Sequence, residues 1–273
     1  MPRTWLAMLV ALGMLFGPES QAADPAPWWK GNLTFRFGAD WSSGDYDGGD
    51  DTDLWFVPVS VAYELDDFRL TPYDWDLFEL RISTAYLRIR GPDDFFTSGA
   101  AGDSPDRRTD HGLGDTWVRG TYAFLPKPHM RLPVVELEGK LKIPTASEDR
   151  DLGTGKLDGG VELTVSRQLG RWIPFASAGW RFLRDPADTN LRSHATASVG
   201  ASFRWSPTVL AGLLYDWRDS SAEGRADSHE LVPNLTWKLS PRFAVSPYAV
   251  WGIAGYVPDY AVGVTFRYAL RIE

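Results

Sequence analysis

The sequence contains no cysteine. Disulfides, thiolate metal sites and a lipid anchor attached through Cys are therefore excluded. Nothing after the first two dozen residues approaches the run of about 20 apolar residues that a membrane-spanning helix needs. The formal net charge is −8. Lys and Arg are thus not in excess, which argues against a phosphate-rich partner, and no nucleic acid is expected. The four histidines, His111, His129, His194 and His229, show neither an HExxH pattern nor metal-ligand spacing, so no metal is expected. No Gly-rich loop follows a strand and opens a helix, and no cofactor is implied.

Aromatic residues are abundant instead: 14% of the chain, with 13 Trp. So are long amphipathic runs. From Val134 to Gly170 two arms alternate strictly. In the first, Val135, Leu137, Gly139, Leu141 and Ile143 interleave with Glu136, Glu138, Lys140 and Lys142. In the second, Leu157, Gly159, Val161, Leu163 and Val165 interleave with Asp158, Gly160, Glu162, Thr164 and Ser166. Strand side chains alternate faces, so one face of each arm meets an apolar medium and the other meets charge. A water-soluble sandwich alternates too. These arms, however, keep the pattern for the roughly 9–11 residues a tilted strand needs to cross a bilayer.

The N-terminus adds an export signal. Arg3 precedes an apolar run from Trp5 to Phe16, and Ser20 and Ala22 place small residues before a cleavage point. Residues 1–22 are expected to be a secretory signal peptide, 23–30 a periplasmic lead, and 31–273 the folded domain. An exported chain of long amphipathic strands spans a membrane only as a closed barrel, because lipid cannot satisfy an open sheet edge.

The expected fold is all-β: one antiparallel up-and-down transmembrane barrel of about twelve strands. Strands are expected near 31–41, 54–65, 77–90, 114–124, 134–143, 157–169, 172–183, 192–205, 208–217, 229–239, 242–253 and 259–270. Short turns at Gly170-Arg171, Ser206-Pro207 and Ser240-Pro241 alternate with longer charged loops. That asymmetry separates periplasmic turns from extracellular loops. Trp172, Trp205 and Trp237 fall by the short turns, and Trp41, Trp217 and Trp251 by the long loops. Two such rings are the expected interface girdles.

Two resemblances sharpen this reading. Gly263, Phe266 and Tyr268 in the last strand resemble the C-terminal signal that outer-membrane barrels present to their assembly machinery, although Ala261 and the run-on to Glu273 depart from it. Gly112-Leu113-Gly114-Asp115, Lys142-Ile143-Pro144-Thr145, the run Gly153 to Gly160, Ser166 and Gly170 together resemble the outer-membrane family labelled "MetA-pathway of phenol degradation". Ala146 stands where that pattern usually has Gly. The resemblance implies an outer-membrane channel or transporter, sometimes associated with aromatic-compound breakdown, and names no substrate.

The expected function is passive passage of small solutes, hydrophobic or aromatic ones among them. The expected partners are outer-membrane lipid and lipopolysaccharide, the barrel assembly machinery and the solute itself. The residues expected to line the lumen are Arg36, Glu64, Arg81, Asp115, Arg119, Glu138, Lys140, Asp158, Glu162, Arg181, Arg204, Asp216, Lys238 and Arg267. Glu79, Glu136, Lys142 and Glu230 share their face. Such charges either line a polar channel or pair across a narrow lumen and fill it.

An enzyme acting on lipid or lipopolysaccharide, or a structural barrel, remains the alternative. Hydrolysis needs Ser, His and an acid in mutual reach. His194 and Ser198 share a face, but four residues of strand set them roughly 13 Å apart. Asp45, Asp47, Asp50, Asp51 and Asp53 crowd one loop without EF-hand spacing. Lastly, Pro233 and Pro247 lie inside two adjacent strands. Proline lacks the ladder N–H. The pair either bulges the wall or marks a lateral seam for apolar solutes.

Overall fold

A computed structural model describes residues 31–45, 51–65, 76–92, 107–126, 132–147, 150, 152–184, 191–221 and 225–272. The expected signal peptide (1–22), the lead (23–30), Asp47, Asp50 and His129 lie outside the described residues.

The alternating segments form strands β1 (Gly31–Gly44), β2 (Thr52–Leu65), β3 (Asp76–Pro92), β4 (Arg107–Leu113), β5 (Thr116–Phe124), β6 (Val134–Ile143) and β7 (Asp158–Ser166). They continue as β8 (Trp172–Phe182), β9 (His194–Arg204), β10 (Val209–Arg218), β11 (Ser228–Lys238), β12 (Phe243–Ala254) and β13 (Tyr260–Ile272). Each pairs antiparallel with its neighbours, and β1 pairs with both β2 and β13, so the sheet closes on itself. Because β4 and β5 follow each other along β3, the wall has twelve staves. The β1–β13 pairing joins the ends of the sheet, which is the condition for a sheet to stand in hydrocarbon, while β4 pairs only with β3 among the described residues.

The broken stave departs from the expectation of a strand over Gly114–Phe124. The chain is already in the ladder at Arg107, and β3 runs on to Pro92, so sheet takes both ends of the stretch expected to be a long loop. A bulge is the cause. Thr84 and Ala85 of β3 face three residues, Gly114, Asp115 and Thr116, and the Gly114 amide donates to the Ala85 carbonyl at 2.8 Å. An extra residue on one strand bends it and re-aims a side chain. Here the re-aimed side chain is Asp115. At the end of the second alternating arm, β7 stops at Ser166, earlier than expected, and Leu169 meets Trp172 in an isolated bridge. Gly170, at φ +63°, supplies the left-handed position that this two-residue turn demands.

The exterior is apolar: Leu137, Leu141, Val161, Leu163 and Val165 are all exposed, while Lys140 and Lys142 between them are buried inward. Trp172, Trp205 and Trp237 are exposed at the short-turn end, and Trp55 and Trp251 at the other. Inside, one side of the lumen holds an apolar core of Ile173, Phe175, Leu210, Leu214, Val232, Tyr248, Val250 and Ala261. Tyr248 crosses β13 above Gly263, whose absent Cβ would lie 2.4 Å from the tyrosine ring, and its hydroxyl donates to buried Asp40 at 2.8 Å. The core was not expected in a lumen read as polar, because Val232 and Val250 look like any other strand valines in the sequence.

Candidate functional site

The bulge aims Asp115 at the loop that joins β6 to β7. One oxygen of Asp115 accepts the Ala146 amide at 3.1 Å, and the other lies 3.4 Å from Lys142 Nζ. Lys142 also meets Asp158 at 2.5 Å and donates to Thr154 Oγ1 at 2.7 Å. Thr145 Oγ1 donates to the Gly114 carbonyl at 3.3 Å. The loop is thereby tied against the inner wall, with Leu152 buried. A Cβ on Gly153 would sit 2.8 Å from the Ala146 methyl and 2.9 Å from an Asp115 oxygen, so only glycine fits there. Motif pieces far apart in sequence (Gly114-Asp115, Lys142 to Ala146, Gly153-Thr154 and Asp158) thus form one clasp.

Below the clasp, register stacks the charges in two rows. Arg81, Arg119, Lys140, Gly160, Arg181 and His194 are successive cross-strand partners. One step toward the short turns run Glu64, Glu79, Thr121, Glu138, Glu162 and Gly179. Like charges directly opposite each other destabilise a sheet. Diagonal pairing offsets part of this. Arg81 is hydrogen-bonded to Glu79, Arg36 lies 3.8 Å from that same carboxylate, and Lys140 is 3.8 Å from Glu138 and 3.7 Å from Glu162. Across the lumen, Arg218 bonds Glu230 at 2.7 Å and lies 3.4 Å from Asp216.

A cavity of about 320 Å³ lies between the clasp and the basic row. Of the residues expected to line the lumen, Arg36, Arg81, Asp115, Arg119, Asp158, Arg181 and Arg267 line it. Glu64, Glu138, Lys140, Glu162, Arg204, Asp216 and Lys238 do not. The sequence reading missed Trp117, Leu152, Gly153 and Arg218, which do. For Trp117 and Leu152 no signal distinguishes a cavity wall from a core. Arg218 is the last residue of β10, where strand and loop cannot be told apart by pattern.

Two of the ladders between neighbouring strands skip residues beside a proline. Between β11 and β12 the ladder skips Val232, Pro233, Leu235 and Thr236. Pro233 therefore falls opposite Ala249 and Pro247 opposite Leu235, a diagonal pair, while both prolines keep their registers with β10 and β13. The apolar core backs this gap, and neither proline lines the cavity. The second gap lies between β1 and β2, where the pairs at Gly38/Pro58 and Ala39/Val57 are missing. Here the cavity is lined from both faces of the sheet: Phe56, Pro58 and Ser60 from inside, Phe37 and Val59 from outside.

The side chains named for hydrolysis are not assembled. Ser198 donates to Asp216 at 2.5 Å, whereas His194 Nδ1 lies 3.3 Å from the Arg192 carbonyl. Among the described residues no group of three His, Asp or Glu could hold a metal ion.

Residues 69–270 match the family described as "Putative MetA-pathway of phenol degradation". The chain belongs to this family. Its fold is also that of the COG4313 outer membrane channel from Pseudomonas putida F1, with a TM-score of 0.69 at 14% identity, covering 91% of this chain and 100% of that one. The P. putida toluene transporter TodX is similar at a TM-score of 0.50 and 7% identity, over 95% of this chain and 92% of the other. The 1,4-alpha-glucan branching enzyme GlgB of Corynebacterium jeikeium (strain K411) is 32% identical over 130 residues, 44% of this chain. The chain spans only 17% of that enzyme's length.

Proposed function

We propose that this member of the family is an outer-membrane channel through which small hydrophobic or aromatic solutes pass passively. The solute enters the cavity under the clasp and leaves sideways through the gap between β1 and β2. The observation that carries this reading is the lining of one cavity by both faces of the wall at Phe37, Pro58 and Val59. Pro58 keeps its register with Ala85 of β3 but has no partner in β1, where its missing N–H would have bonded. A COG4313 channel and a toluene transporter share the fold, which is consistent with this use of the barrel. Lipid and lipopolysaccharide surround the exposed apolar wall, and the assembly machinery reads the last strand.

The test is uptake into proteoliposomes of a hydrophobic solute, toluene, and a hydrophilic one, glycerol. Pro58→Val restores a ladder donor and is expected to reduce toluene uptake selectively. Pro233→Val with Pro247→Val, behind which the apolar core stands, is expected to leave both rates unchanged. Loss of toluene uptake in the second variant and not in the first would move the exit to β11 and β12. Unchanged uptake in both would remove the lateral route.

A further inference from the structure

Among the described residues, two cations of the basic row are paired with carboxylates and two are not. Arg81 and Lys140 turn toward the acidic row and pair with it. Arg119 and Arg181 flank Lys140 in that row, line the cavity, and have no carboxylate within salt-bridge distance among the described residues. The Nε of each is buried without an acceptor. Arg181 lies 5.9 Å from the centre of the Trp117 ring, on a strand three places away, so it reaches across the cavity. Gly160 stands between Lys140 and Arg181 in register. A Cβ there would meet Lys140 Cε at 2.9 Å and Arg181 Cδ at 3.2 Å, so the glycine leaves room for both cations side by side. Asp115 and Asp158 line the cavity too, but both are held by Lys142, and the acids of the row below, Glu79, Glu138 and Glu162, do not line it.

We infer that the cavity is a binding site for a small organic anion, one carboxylate on an apolar body. Arg119 and Arg181 hold the carboxylate, and Trp117, Phe56 and Leu152 receive the body. Guanidinium N–H groups match a carboxylate's two oxygens, and their charge-assisted bonds are strong in a desolvated site. A cavity of about 320 Å³ suits a ligand of that size, since small-molecule sites run from roughly 300 to 1,000 Å³. An anion between the two guanidiniums also relieves the repulsion that register imposes on the row. This assignment rests on the channel reading and specifies its solute class.

The test uses the purified full chain with benzoate and its neutral counterpart benzyl alcohol, by titration calorimetry. Benzoate is expected to bind at least tenfold more tightly. Arg119→Gln with Arg181→Gln is expected to erase that preference, and Arg119→Lys with Arg181→Lys, which keeps the charge but not the two-pronged geometry, to retain part of it. The Gln pair is also expected to melt at a higher temperature than the parent in the absence of ligand, because two like charges are gone. Equal affinity of the parent for both probes, or an unchanged preference in a folded Gln variant, overturns the anion site. The parent's two titrations decide even if a variant does not fold. Proteoliposome flux of neutral toluene is measured alongside. Toluene flux without benzoate preference leaves the channel reading standing and removes the anion site, whereas absence of all flux counts against the channel.

Discussion

Leu163 and Glu162 are neighbours with opposite fates. Leu163 is exposed on the outer wall, and Glu162 lies inside, 3.7 Å from Lys140. The alternation that predicts this is plain in the sequence, because a period of two follows from strand geometry alone. Leu163→Arg is expected to cost about 2–4 kcal/mol, the cost of a cation near the middle of a bilayer. Glu162→Gln keeps its shape and a hydrogen-bonding head, and Lys140 keeps Glu138 at 3.8 Å, so it is expected to cost much less than Leu163→Arg. Denaturant unfolding in lipid vesicles measures both, and equal tolerance would mean that the two faces are exchanged. What single residues could not reveal is which inward charges share a cavity. Lys140 and Arg119 alternate identically, yet Lys140 turns down to the acids and Arg119 lines the cavity. That choice depends on what stands in the next two strands, which residue periodicity does not contain.

At the level of elements, strands β6 and β7 were legible throughout: their alternating arms, their inward charges and the short Gly170-Arg171 turn that leads on to β8. The clasp was legible only as a family pattern of Gly, Asp, Lys and Thr, with no geometric reason for it until the bulge at Gly114 brought Asp115 to Lys142. A bulge adds one residue and leaves almost no compositional mark, so the strand expected to start at Gly114 hid it. Lys142 serves two carboxylates whose side chains are nearly as buried as its own. Lys142→Met leaves both unpaired, and breaking a buried pair costs about 3–5 kcal/mol. That strain is expected to free the loop from the wall and raise the single-channel conductance in planar bilayers above that of the parent. A conductance equal to the parent's in a folded variant would show that the loop does not bound the passage.

For the whole molecule, the barrel follows from counting. Twelve amphipathic staves each bury one face, and the β1–β13 pairing closes the sheet. Strand number and mean topology were readable because each stave repeats one pattern between turns. The division of the lumen was not: an apolar core behind β8 to β13 and a charged cavity beneath the clasp both arise from inward residues that look alike one strand at a time. Twelve strands enclose more than the filled eight-stranded barrels and less than the open 16- to 18-stranded porins. Partial filling of the lumen matches that intermediate size. On the proposed route, solute travels through the cavity beside β2. Ser60 lines it, while Val61, the next residue, is exposed on the outer wall. The most direct measurement is toluene uptake by proteoliposomes carrying the parent, Ser60→Trp or Val61→Trp. Uptake is expected to be lost with Ser60→Trp and retained with Val61→Trp, and equal uptake by both folded variants would contradict a route through this cavity.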